Sequence, residues 1–223
     1  MASAVQELAG RIERTGLPGM VDDRLLPVLP PLTSLLPSGG LRRGTTVAVQ
    51  GSTSLVLALM AGPSQAGSWC AIVGLGSLGV VAAAEMGVAL DRLALVPAPG
   101  PEWPVVVAAL LDALDLVVVV SPERARGSDA RRLSARARQR GAVLVPFGQW
   151  EGADLRLSAD KGVWDGLGPG HGQLRTRRTA VSAEGRGSAA RRRRIQLWLP
   201  APGGGIRLED EAPRRHLVPM EVG

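Results

Sequence analysis

The chain has 223 residues, long enough for a core that folds without staples, and its single cysteine, Cys70, excludes a disulfide framework and a cysteine-built zinc site. Its formal net charge is +6 and rests almost wholly on arginine, a weak pointer to nucleic-acid or acidic-protein partners. Five Trp, one Phe and no Tyr are too few aromatics for a platform that stacks single-stranded bases.

Residues 2–14 bring Val5, Leu8, Ala9 and Ile12 to one face of an amphipathic helix, and the N-terminus lacks the charged and apolar regions of a signal peptide. Residues 17–36, rich in Leu and Pro, read as an irregular arm lying on the domain. The organisation expected is therefore a helix and arm over 1–36, a core domain over 37–200 and a flexible tail over 201–223. From Thr45, short apolar strands at 45–50, 69–73, 93–96, 116–120 and 142–147 alternate with helices near 54–62, 78–90, 103–114 and 128–140. Ser128 stands as an N-cap for the last helix and Gly141 as its C′ residue. Strands apolar on both faces are covered by helices, and the βα alternation predicts a mainly parallel sheet with right-handed crossovers. Residues 105–120 form the longest apolar stretch, but Asp112 and Asp115 interrupt it. It reads as a buried helix and strand rather than a membrane span, and the chain is expected to be cytoplasmic. After Gln149 the segments 154–159, 173–182 and 192–199 read as antiparallel strands joined by glycine-rich turns.

A strand, a glycine, a loop and a helix follow one another in VAVQGSTSLVLALMAG, starting at Val47. A phosphate loop at such a place carries G-x-x-x-x-G-K-[ST], whose amides cradle phosphates, whose lysine neutralises them and whose hydroxyl holds Mg²⁺. Here Gly51 is followed by Ser52, Thr53 and Ser54, and then the apolar helix begins. Counted without gaps, Leu57 takes the lysine's place and Ala58 the hydroxyl's; counted with a shortened loop, those positions are deleted. Neither count yields a lysine, and the stretch reads as an ordinary tight βα turn. Residues 74–79, GLGSLG, match the G-x-G-x-x-G of dinucleotide sites, but follow the second core strand, and no acid follows in LALVPAPG. Close packing of small residues is the plainer reading. His171 and His216 are too few for a metal site and lack a nearby nucleophile. Arg131, Arg132, Arg136, Arg138 and Arg140 crowd one helix above a stripe of Ala130, Leu133 and Ala137. They are either a solvated face or a contact surface for phosphate or an acidic partner, and the run 191–194 reads likewise.

The order of these segments is similar to that of RecA-type recombinases. LPSGGLRRGTTVAVQG resembles the glycine turn and Arg-Gly that lead into their first core strand, and WCAIV with AAEMGVALDRLALV resembles the following strand–helix–strand. LDLVVVVSP resembles the Walker-B segment, and AVLVPFGQW the strand ending in the nucleotide-sensing glutamine. In that resemblance the Walker-B aspartate falls on Val120, the catalytic glutamate on Gly76 and the sensing glutamine on Gln149, which has either a direct role or a structural capping one. The loops that contact DNA shrink to PERARG before Ser128 and WEGA before Asp154. A RecA-like body with an erased phosphate loop and short DNA loops resembles the ImuA-prime family. That resemblance implies a non-catalytic adaptor, without nucleotide cofactor or metal, in damage-induced translesion synthesis. Its implied partners are the polymerase-like protein ImuB and, through it, an error-prone DnaE-type polymerase. The contact is expected through Leu8 and Ile12, helped by Arg131, Arg132 and Arg136. The competing readings are a dinucleotide-binding enzyme using the loop 74–79 and a non-hydrolysing, DNA-binding recombinase paralogue.

Overall fold

The computed structural model describes residues 24–120, 127–168, 171–187 and 190–209, so the expected helix over 2–14, with Leu8 and Ile12, lies outside the described residues. The arm contains β1 (Leu25–Leu26) and α1 (Pro30–Thr33), and β1 pairs antiparallel with β2 (Leu41–Arg42) at the entry to the core domain. Pro30 and Pro31 open α1, where a missing N–H costs nothing. Leu26, Leu32, Leu35 and Leu36 of this arm are buried in the core.

Next come β3 (Val47–Gln50), α2 (Thr53–Gln65), β4 (Cys70–Val73), α3 (Val80–Glu85) and β5 (Leu93–Val96). They are followed by α4 (Trp103–Ala113), β6 (Leu116–Val120), α5 (Gly127–Arg140) and β7 (Val143–Phe147). The five strands run parallel in the order β3-β7-β6-β4-β5. Side chains alternate across the sheet as a period of two demands. Leu116 and Val118 enter the core under α2 and the arm, while Val117 and Val119 enter the one under α4 and α5.

The sheet continues with β8 (Leu155–Ala159), β10 (His171–Gly185), β11 (Arg193–Trp198) and β12 (Arg207–Leu208). β10, β11 and β12 are antiparallel, as expected for this half of the chain, but β8 is parallel to β3 and antiparallel only to β10. A further strand, β9 (Val163–Gly168), has no counterpart in the sequence reading and pairs with β10.

Three helix boundaries differ from the sequence reading. The helix expected at 78–90 shrinks to α3, because Gly87, at φ +95°, turns the chain and its N–H bonds back to the Ala84 carbonyl. α2 runs through Gly62 and Pro63 to Gln65 instead of ending near 62. Gly62 is a crossing point rather than a stop: a Cβ there would stand 2.7 Å from the Pro27 carbonyl oxygen and from the Val28 Cα of the arm. Ser128 lies inside α5, which begins at Gly127, whereas Gly141, at φ +69°, follows its last residue as expected. The start of the tail also differs from the loose chain expected from 201. Ala201 is buried, the Gly205 N–H donates to the Glu85 carbonyl at 2.8 Å, and β12 pairs with β11.

Candidate functional site

The turn between β3 and α2 is built from tight backbone packing. Gly51 has φ +82°, and a Cβ on it would stand 2.3 Å from the carbonyl oxygen of Ala159 at the end of β8. Only glycine fits so close an approach in that conformation. Ser52 is buried, and its hydroxyl oxygen accepts from the Leu55 N–H at 3.3 Å, capping α2. Thr53 and Ser54, half-buried, open the helix. Leu57 and Ala58, in the places of a lysine and a metal-holding hydroxyl, are buried in the core.

The other positions of the resemblance do not assemble around this turn as a set of charged groups. Val120 ends β6 half-buried, and Gly76 sits in an open loop, where a Cβ would meet nothing nearer than the Pro97 carbonyl oxygen at 3.9 Å. Gln149 is exposed, while its neighbour Trp150 is buried and donates its indole N–H to Ser134 Oγ of α5 at 3.1 Å. Within 74–79 the tight glycine is Gly74, at φ +81°, whose N–H donates to the Val96 carbonyl at 2.9 Å and whose Cβ position lies 3.3 Å from the Val120 carbonyl oxygen. Packing of small residues thus holds at Gly74 but not at Gly76. The helix that follows, α3, has six residues and opens with exposed Val80 and Val81, a poor base for a dinucleotide's pyrophosphate.

Among the described residues, no group of three His, Cys, Asp or Glu could hold a metal ion, and no helix is long and apolar enough to cross a membrane. Cys70 is buried, and desolvation, with the charge of Asp115 adding to it, pushes its thiol up to about 12. It stays protonated and inert. Asp115 is occupied in joining segments: it accepts from Arg43 Nη1 at 2.8 Å and from the Trp69 N–H at 3.1 Å. The Arg-Gly ahead of the first core strand therefore has a structural task.

The arginines of α5 meet carboxylates. Arg136 donates through Nε and Nη2 to both oxygens of Asp112 on α4, the Nε bond at 2.6 Å, and Arg140 Nε adds a third bond at 3.0 Å. The hydrogen bonds from Arg136 hold the Asp112 carboxyl below its ordinary range, against the opposing pull of desolvation. Arg132 lies 3.3 Å from Asp129, Arg131 3.6 Å from Glu151 and Arg138 3.7 Å from Asp154. Ala130, Leu133 and Ala137 are buried, as the periodicity requires. Arg131, Arg132 and Arg136 thus lie on a solvated face where carboxylates of the same chain offset part of their charge.

A feature the motifs did not reveal lies beside the α2 turn. A groove of about 1360 Å³ runs between the first turn of α2, the end of α3 and the β9–β10 hairpin, with Ser54, Leu57 and Met86 on one side and Trp164, Arg175 and Arg178 on the other. The Arg177 guanidinium stands 5.6 Å from the ring centre of Trp164, and that of Arg178 stands 5.5 Å from that of Trp198. Arg177 is buried and donates Nη2 to the Asp160 carbonyl at 3.0 Å. The sequence signal was present in VWDGLGPGHGQLRTRR, two strand-like runs around a Gly-Pro-Gly turn. Only its second half reads as a strand on its own, because glycines break the first.

A mainly parallel sheet covered on both faces, extended by antiparallel strands at its C-terminal side, is the RecA-like α/β class. The fold is similar to that of the RadB recombinase crystal structure, with a TM-score of 0.57 and 18% identity over 79% of this chain and 95% of that one. Over residues 34–152 the sequence matches the family described as the MT3502 N-terminal domain, and the chain belongs to that family. It is also 43% identical over 129 residues to the uncharacterized protein Rv3395c of Mycobacterium tuberculosis H37Rv, a match covering 56% of this chain and 63% of that relative's length. The family match takes in β2 to Trp150, and the β9–β10 hairpin lies beyond it.

Proposed function

We propose that the protein is a non-catalytic, cytoplasmic RecA-like adaptor that binds ImuB and, through it, supports an error-prone DnaE-type polymerase in translesion DNA synthesis. The β3–α2 turn carries the first half of this reading. Phosphoryl transfer is positioning and charge neutralisation around a bound triphosphate. At this turn the backbone packs against β8 at Gly51, the Ser52 hydroxyl caps α2, and Leu57 enters the core where a lysine would reach for phosphate. Val120 and Gly76 supply neither a metal-holding acid nor a base. The resemblance to the ImuA-prime family supports the second half, a role in holding other proteins together.

The test is capture of purified ImuB by the full-length, tagged protein, with recovery of the DnaE-type polymerase when ImuB is present. Retention of ImuB, and of the polymerase only through it, is expected. ImuB passing through unretained would refute the adaptor reading.

A further inference from the structure

β9 is bonded to β10 along one edge, and among the described strands nothing pairs with its other edge. Natural sheets blunt such edges with charge or proline, yet β9 reads VWDGLG, with one charged residue. The hairpin also bends. Gly166 and Gly172, at φ +111° and +109°, pack so closely that a Cβ on Gly172 would stand 2.3 Å from the Gly166 carbonyl oxygen. On both sides of this bend the hairpin keeps apolar side chains in water: Val163 is 58% exposed and Trp164 38% before Gly166, Leu167 66% and Leu174 51% after it. Four large apolar side chains exposed within twelve residues (163–174) are more than scattered surface hydrophobics account for.

The same hairpin walls the groove of about 1360 Å³, above the roughly 300–1,000 Å³ of small-molecule sites. Its charge is mixed but tilted to basic, with Arg175, Arg178 and Arg207 against Glu85 and Asp165. One wall already draws in a carboxylate, for Arg178 lies 3.8 Å from Glu209.

We propose that this groove and the open edge of β9 bind an extended segment of a partner protein, an apolar anchor flanked by Asp or Glu. The segment adds to β9 as a strand, so backbone hydrogen bonds hold it while alternate side chains enter the groove. Trp164 and Leu174 receive the anchor, and Arg175 and Arg178 receive the acids, speeding encounter and rejecting basic segments. The inference rests on the adaptor reading, since an adaptor must seat a partner, but the groove can be tested without knowing which.

The experiment selects displayed random 12-residue peptides on the full-length protein. In parallel it uses Trp164→Ala/Leu174→Asp, the exposed-tip variant Leu167→Asp, and Val105→Asp on the exposed face of α4 as a control. Enriched peptides should carry an apolar anchor with flanking acids and slow hydrogen exchange over 163–178. Their Kd should rise about tenfold or more in Trp164→Ala/Leu174→Asp, as expected of a central anchor, rise less in Leu167→Asp, which lies outside the groove, and stay unchanged in Val105→Asp. Arg175→Glu/Arg178→Glu should turn the selection toward basic flanks. The proposal is overturned if no peptide enriches on the wild type, or if peptides bind the folded Leu167→Asp and Trp164→Ala/Leu174→Asp proteins as they bind the wild type. Run with ImuB, the same variants separate the two ideas. Wild type that retains ImuB while the hairpin variants lose it joins them. Retention by all puts ImuB elsewhere and overturns the groove as its seat. Failure of the wild type refutes the adaptor reading and leaves the peptide result to decide the groove.

Discussion

Asp112 shows how one residue can tie two helices and report on pH. It sits on α4 and accepts from Arg136 and Arg140 of α5, so its charge is compensated across the helix–helix contact. The Arg136 hydrogen bonds lower its carboxyl below the ordinary value. A group with a depressed folded pKa stabilises the fold above its unfolded pKa, and that contribution is lost as pH falls through the lowered folded value. Asp112→Asn should therefore lower Tm relative to wild type at neutral pH, by an amount typical of a partly exposed charge pair, about 1 kcal/mol. The gap should close as the pH drops below the carboxylate range, where the wild-type carboxyl is itself protonated. Melting curves of both proteins across that range check the sign. A gap that widened on acidification would show the carboxyl to be raised instead.

At the scale of elements, the arm and α2 are held together at Gly62, where the sequence pattern places the end of the helix. Gly62 was legible as a glycine and not as a crossing, because the segment that passes over it, Pro27 and Val28, is thirty-four residues away in the chain. Gly62→Leu should push the arm off α2, uncovering Leu26 and Leu32, which are now buried. A loss of about 2–5 kcal/mol, the range for disrupting a buried leucine, is expected in urea unfolding, with faster hydrogen exchange confined at first to 24–42. The parallel strands were legible for the opposite reason. Runs such as LVVVV have no polar face and read as strands covered on both sides, and β6 lies inside the sheet where its run places it; β5 also falls at its expected position but forms the sheet's edge, with Leu95 exposed. β9 was not legible, since Gly162, Gly166 and Gly168 hide its alternation and its pairing depends on tight glycine contacts. α3 was overestimated because the apolar pattern continues through Gly87, where the backbone turns.

At the scale of the molecule, the fold could be read from the order of strands and helices, but the charge of the candidate surface could not. Of the α5 arginines only Arg132 meets a carboxylate of its own helix, Asp129; the others meet Asp112 from α4, and Glu151 and Asp154 from the chain after β7, which no sequence spacing reveals. The groove is likewise assembled from residues as distant as Ser54 and Arg207. What the sequence did announce is the altered turn after β3, and the structure gives it a physical form: a glycine against β8, a serine spent on a cap, and leucine in the core. On that turn rests the claim that this RecA-like body holds partners rather than hydrolysing nucleotide. The most direct measurement is therefore ATP turnover by the purified full-length protein with Mg²⁺, paired with melting curves in millimolar ATP. The account predicts phosphate release at background and an unchanged Tm, where a ligand at about a hundred times its Kd would add roughly 2.7 kcal/mol. Turnover that co-purifies with the protein and is abolished by substituting Ser52, Thr53 and Ser54, or a saturable rise in Tm with ATP, would contradict it.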